Sequence, residues 1–182
     1  MLETRFLRRR PGKTRLWILM GLFITIGGII TYLENLFLPP AGPLRLGLGN
    51  AVTLIALYMH GFAPALGVNL ERIALGGILS GQLFGPGFII GVSGAIAATV
   101  IMGLLYRRVS IISIFGVSWA GAVVFNFTAL AVISALIAGG AAMMYMTPLL
   151  WIMALAGGAA SALIAHLVLR NLSGATVYSL ES

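Results

Sequence analysis

The chain has 182 residues, of which 60% are hydrophobic and only 8% charged, with a mean hydropathy of +1.07. A water-soluble domain carries roughly a quarter of its residues as charges, so lipid must cover most of this perimeter and a soluble enzyme is excluded. The net charge of +7 does not point to nucleic acid: Arg5, Arg8, Arg9, Arg10, Lys13 and Arg15 all precede the first apolar run, where a basic cluster orients a span near anionic lipid.

Apolar runs and their breakers predict six helices. The first covers about Arg15 to Leu38 and stops at Pro39-Pro40. Its basic flank imitates a secretory signal, but the apolar stretch from Leu16 to Leu33 exceeds the usual signal core of about 7–15 residues, so it is expected to be a retained helix. The second runs from Leu46 to His60-Gly61. The third begins at Pro64, a residue favoured in a first helical turn, and closes near Phe84. Gly85-Pro86-Gly87 then turns the chain into the fourth, which ends at Arg107-Arg108. The fifth spans Ile111 to Ala138, before Gly139-Gly140, and the sixth Thr147 to Leu169, before Arg170-Asn171. No Asp, Glu, Lys or Arg occurs between Val109 and Leu169.

The expected organisation is a basic cytoplasmic segment (1–14), a six-helix transmembrane domain (15–170) and a short cytoplasmic tail (171–182). With the N-terminal cluster inside, Arg107-Arg108 and Arg170 follow even-numbered spans and fall inside again, and the outer loops hold one basic residue, Arg45. Both termini are thus expected in the cytoplasm of a multi-pass cell-membrane protein. Gly27-Gly28, Gly76-Gly77, Gly91, Gly94, Gly121 and Gly157-Gly158 thread the helices. Such residues let backbones approach closely, within this bundle or against a partner subunit.

Polar groups at membrane depth are costly, so each one is a functional candidate. In the third helix Asn69, Arg72, Gly76 and Ser80 follow at spacings of three and four and form one stripe, with Glu71 pointing away from it. Two roles fit the stripe. It can line a ligand cavity, where the arginine fork would bind a carboxylate or phosphate, or it can act as hydrogen-bonded glue between helices. Arg45 and Asn50 flank Gly47 and Gly49 where the chain re-enters the membrane; they form the rim of the same cavity, or Arg45 snorkels to the interface beside Glu34. Asn126 in the fifth helix either faces the cavity or bonds a neighbouring helix. Glu71, an embedded acid, is a candidate for ion pairing or proton coupling.

The composition also removes chemistry. There is no cysteine and no aspartate, and the four acids are Glu3, Glu34, Glu71 and Glu181. Thiol nucleophiles and zinc–thiolate sites are excluded, His60 and His166 are too isolated for a metal, and no P-loop is present. No metal, cofactor or catalytic residue is expected.

The run Leu46 to Tyr58, then Glu71-Arg72-Ile73 with Gly76, then Leu79 to Phe84, resembles one membrane family, as do Val92-Ser93-Gly94, Gly116-Val117-Ser118 and Asn126. That family is heptaprenyl diphosphate synthase component I, also called the Gx transporter family. It is similar in plan to the substrate-binding (S) components of energy-coupling-factor vitamin transporters. The resemblance covers about Leu16 to Leu169. This chain departs from the family pattern in having Arg45 for a lysine and Phe125-Asn126 for His-Asn without a nearby glutamine. Gly21, Thr25 and Gly28 stand where S components space alanines by four for docking their membrane partner. Prenyl diphosphate synthases hold Mg²⁺ and diphosphate on aspartates, since Mg²⁺ needs hard carboxylate oxygens; a chain without aspartate cannot form that site alone. The resemblance therefore implies a transport component that binds a small, anionic substrate from outside and relies on transmembrane and ATPase coupling subunits. The alternative is a non-catalytic anchor for a polyprenyl synthase subunit.

Overall fold

The first apolar run folds as α1 (Lys13–Phe37), which ends two residues before Pro39-Pro40, where a missing N–H and a fixed φ stop a helix. The structure, a computed structural model, describes residues 13–37, 47–109, 112–136, 145 and 147–178. Arg45 and the basic cluster before Lys13 lie outside the described residues.

The second helix departs from expectation. It is α2 (Asn50–His60), 11 residues long, which at 1.5 Å per residue rises about 16 Å, roughly half of a bilayer's apolar thickness. It starts late because the chain first turns tightly. Gly47 takes φ +70°, and the Gly47 and Leu48 carbonyls accept the Asn50 and Ala51 N–H groups at 2.9 and 3.0 Å. Every residue from Asn50 to Leu57 is buried. A helix enclosed on all sides by protein has no need to match the membrane's thickness, and its apolar sequence reads like that of a span.

Gly61 (φ 88°) caps α2 and sends the chain directly into α3 (Phe62–Leu79), so the two run antiparallel. A left-handed Gly81 ends α3. The Gln82 N–H reaches the Gly77 carbonyl at 2.8 Å and the Gly81 N–H the Ile78 carbonyl at 3.1 Å, a Schellman closure that uses up carbonyls left open at the helix end. Pro86 opens α4 (Pro86–Arg108) at a position where its missing N–H has no helical partner to lose.

The last two helices are α5 (Ile114–Leu136) and α6 (Thr147–Tyr178). α6 continues past the expected stop at Arg170-Asn171. Those residues are permitted inside a helix; they mark the end of the apolar stretch, Thr147–Asn171, not of the hydrogen-bonded ladder.

Within the described residues, α1 packs along α3, α3 on α4, α4 on α5 and α5 on α6, while α2 lies inside and touches all five. α1 and α3 run in the same direction, since Gly67 lies by Met20 and Gly28 by Leu75. A Cβ on Gly28 would come within 2.5 Å of the Leu75 side chain, and one on Gly76 within 2.6 Å of Thr31, so these glycines set the spacing of the two helices. Among the described residues, five helices are long and apolar enough to cross a membrane. They turn large apolar side chains such as Trp17, Ile18, Ile78, Ile152 and Leu163 outward, whereas Leu54, Leu57, Val68, Ala98 and Met102 fill the centre. The protein is an all-helical, multi-pass membrane bundle.

Candidate binding site at the start of the enclosed helix

Arg72 sits eleven residues after Gly61 and Asn50 eleven before it, so the α2–α3 hairpin brings them side by side. Arg72 is 4% exposed. Its Nε donates to Asn69 Oδ1 at 2.7 Å, Nη1 to Thr31 Oγ1 at 3.0 Å, and Nη2 to Asn50 Oδ1 at 3.2 Å. Asn69 is fixed in turn, with its Nδ2 donating to Thr99 Oγ1 at 2.6 Å and to the Ala95 carbonyl at 3.1 Å. Residues of α1, α2, α3 and α4 thus meet around one guanidinium.

Glycines make the space. A Cβ on Gly49 would overlap Arg72 Nη1, and one on Gly27 would press on the Arg72 stem at 3.0 Å. The turn before α2 is pinned from both flanks. Glu34 of α1, 9% exposed, accepts the Leu48 N–H at 2.8 Å, and Ser161 of α6 donates to the Gly47 carbonyl at 2.9 Å. The start of a helix carries positive partial charge. Arg72 adds a full positive charge there and Glu34 supplies a negative one, as the dipole favours.

Among the described residues, two buried polar atoms here have no hydrogen-bond partner, Asn50 Nδ2 and Thr53 Oγ1. They are one turn apart on α2, on residues that are 2% and 0% exposed. A buried polar atom left unpaired costs about 1–3 kcal/mol, so such a pair marks a place where the protein gives up stability. Alongside lies a recess between α1, α3 and α4, with Thr31, Asn35, Ser80 and Gln82 as its polar wall and Ile73 and Phe88 as its apolar one. It holds about 10 Å³, the space of one water molecule. Thr31 belongs to both the recess and the Arg72 network.

Of the sequence-derived candidates, the structure brings Arg72, Asn69 and Asn50 together. Ser80 lines the recess and donates to the Gly76 carbonyl of its own helix at 2.7 Å. Asn126 lies elsewhere, donating from α5 to the Leu150 carbonyl of α6 at 3.2 Å. Glu71 is exposed on the outer side of α3. Thr31, Thr53 and Thr99 escape sequence reading, because a threonine inside a helix ordinarily satisfies itself on its own backbone. Thr31 and Thr99 do so, on the Gly27 and Ala95 carbonyls at 2.9 and 2.8 Å, and then accept a second bond across the bundle. Among the described residues no group of three or more His, Cys, Asp or Glu is placed to hold a metal.

Comparison with known proteins adds one match. The family model for heptaprenyl diphosphate synthase component I matches residues 23–168, from the middle of α1 to near the end of the apolar part of α6. No curated protein and no solved structure gives a significant match. The chain belongs to the heptaprenyl diphosphate synthase component I family.

Proposed function

We propose that this chain is the binding component of a membrane transport system. It takes a small anionic molecule from the face opposite its basic ends, at the start of α2, and depends on transmembrane and ATPase partners for energy. The observation that carries this reading is the cluster of Arg72, Asn50 and Thr53. A cation stands at a positive helix start, bonded to Asn50, whose Nδ2 and the Thr53 hydroxyl one turn on are buried and unpartnered among the described residues, and Thr31 links this network to a recess with a polar wall. Helix starts and arginine forks both favour carboxylate or phosphate. Arg72, Asn50 and Asn69 would bind, and Ser80 with Arg45 would line the approach. Asn126 serves as a helix-to-helix tie, and no catalytic residue, metal or cofactor is needed.

The experiment is mass spectrometry of small molecules that co-purify in mild detergent, with Arg72→Lys and Thr53→Val as comparisons. Wild type should carry an anion that both variants lose while remaining folded. Thr53→Val should also raise the unfolding temperature of the empty protein, since it removes an unsatisfied buried hydroxyl at nearly constant volume. An anion retained equally by both variants would defeat this site.

The family name favours a second reading, a non-catalytic membrane subunit for polyprenyl diphosphate synthesis. An empty wild type that co-purifies with a synthase subunit in fixed stoichiometry would establish it.

A further inference from the structure

Glu71 is the tenth residue of the 18-residue α3, so it lies about 13 Å from either end of that helix at 1.5 Å per residue. It is exposed, and among the described residues no hydrogen bond or ion pair reaches it. Large apolar side chains face outward on the same helix, Ile78 and Leu79, and on the neighbouring α1, Trp17, Leu22 and Ile26, with Thr25 bonded to its own backbone among them. A carboxylate at that depth and facing lipid is unfavourable, which is why ionisable groups in membranes turn inward or pair. Arg72, next in sequence, does turn inward; Glu71 does not.

The helix face it stands on is shaped for close approach. Ala63, Gly67, Glu71, Ala74 and Ile78 follow at spacings of four, four, three and four along the outward side of α3, and none of them is buried. Ala63, Ala74 and, at the edge next to Met20 of α1, Gly67 leave space beside the acid, which lets another backbone come near enough for a direct bond.

We infer that this face of α3 is a docking surface for a transmembrane helix of a different protein, and that this helix carries a lysine or arginine which pairs with Glu71 inside the bilayer. A second copy of this chain does not fit. Among the described residues, Lys13, Arg15, Arg107 and Arg108 stand near helix ends, Arg170 stands at the end of the apolar stretch of α6, and the cation at mid-depth, Arg72, is buried in its own network. Among the described residues, a copy in the same orientation therefore presents no outward cation at the level of Glu71. The surface is independent of whether Arg72 binds a substrate.

The test is photo-crosslinking in the membranes of cells that make the full chain, with a photo-reactive amino acid placed at Ala74 and, as a control, at Ile152 on the outward side of α6. The Ala74 probe should give an adduct with another membrane protein that the Ile152 probe does not give. The adduct peptide should lie in a transmembrane segment containing Lys or Arg. Glu71→Leu should lower the adduct yield about tenfold or more, as removal of one partner of a desolvated pair does, while the isolated variant unfolds at an equal or higher temperature. Glu71→Lys combined with an acid at the partner's basic position should restore the yield. Adducts with lipid alone, a crosslinked pair of this chain, a partner segment without a basic residue, or a yield unchanged by Glu71→Leu would each overturn the inference.

Discussion

The start of α2 and the α5–α6 seam both bury polar side chains in a membrane bundle, and they do so in different ways. At the seam each side chain makes one local tie to a backbone carbonyl on the facing helix. Ser118 Oγ donates to Gly158 at 2.7 Å and Asn126 Nδ2 to Leu150 at 3.2 Å. At the start of α2, Arg72, Asn69, Asn50, Thr31 and Thr99 bond to one another across four helices, and two neighbouring polar atoms stay unpartnered. The seam shows what structural glue needs, which is one donor, one carbonyl and close packing. The Arg72 cluster exceeds that need: it holds a charge in place and leaves hydrogen-bonding capacity unused among the described residues, which the proposed binding role would draw on.

Substitution can break that contrast most forcefully at Gly49. In Gly49→Ala the new Cβ occupies the space of Arg72 Nη1, so either the guanidinium leaves its bonds or the turn before α2 moves. The expected loss is about 3 kcal/mol or more, the range for disrupting a buried charged network, and thermal unfolding in detergent would record it. Unfolding within a degree or two of wild type would show that the cluster is loosely held. Next in size is Asn69→Leu, which takes the acceptor from Arg72 Nε and the donor from Thr99 and Ala95. It should cost about 2–3 kcal/mol, because it leaves a charged donor unpaired, read by the same melt. Ser118→Ala at the seam should cost only about 0.6 kcal/mol, typical of a single interhelical hydrogen bond in a membrane protein. If Ser118→Ala proved as damaging as Asn69→Leu, the distinction between site and seam would fail.

The polar stripe on α3 was legible because helical periodicity alone puts Asn69 and Arg72 on one face. The placement of Asn50 beside them was not, since it depends on Gly61 folding α2 back along α3. Asn126 shows the converse. Its burial in mid-helix is written in the sequence, but its assignment to the α5–α6 seam depends on which helices are neighbours.

The length of α2 separates the two levels most clearly. Hydropathy records how much a segment avoids water, and it rates Leu46 to His60 much like any other span, because protein and lipid are both apolar surroundings. Composition and periodicity therefore determined an all-helical membrane bundle, its helix count and the polar face of α3. Only the tertiary structure decided that α2 is enclosed by the other five helices and begins halfway through the bundle. That choice rests on contacts between residues far apart in sequence: Glu34 with Leu48, Ser161 with Gly47, and Arg72 with Thr31 and Asn50. The same holds for Glu71 and Arg72. Adjacent residues on a helix point about 100° apart, and only the packing of α1, α2 and α4 around α3 determined which charge is enclosed and which faces outward.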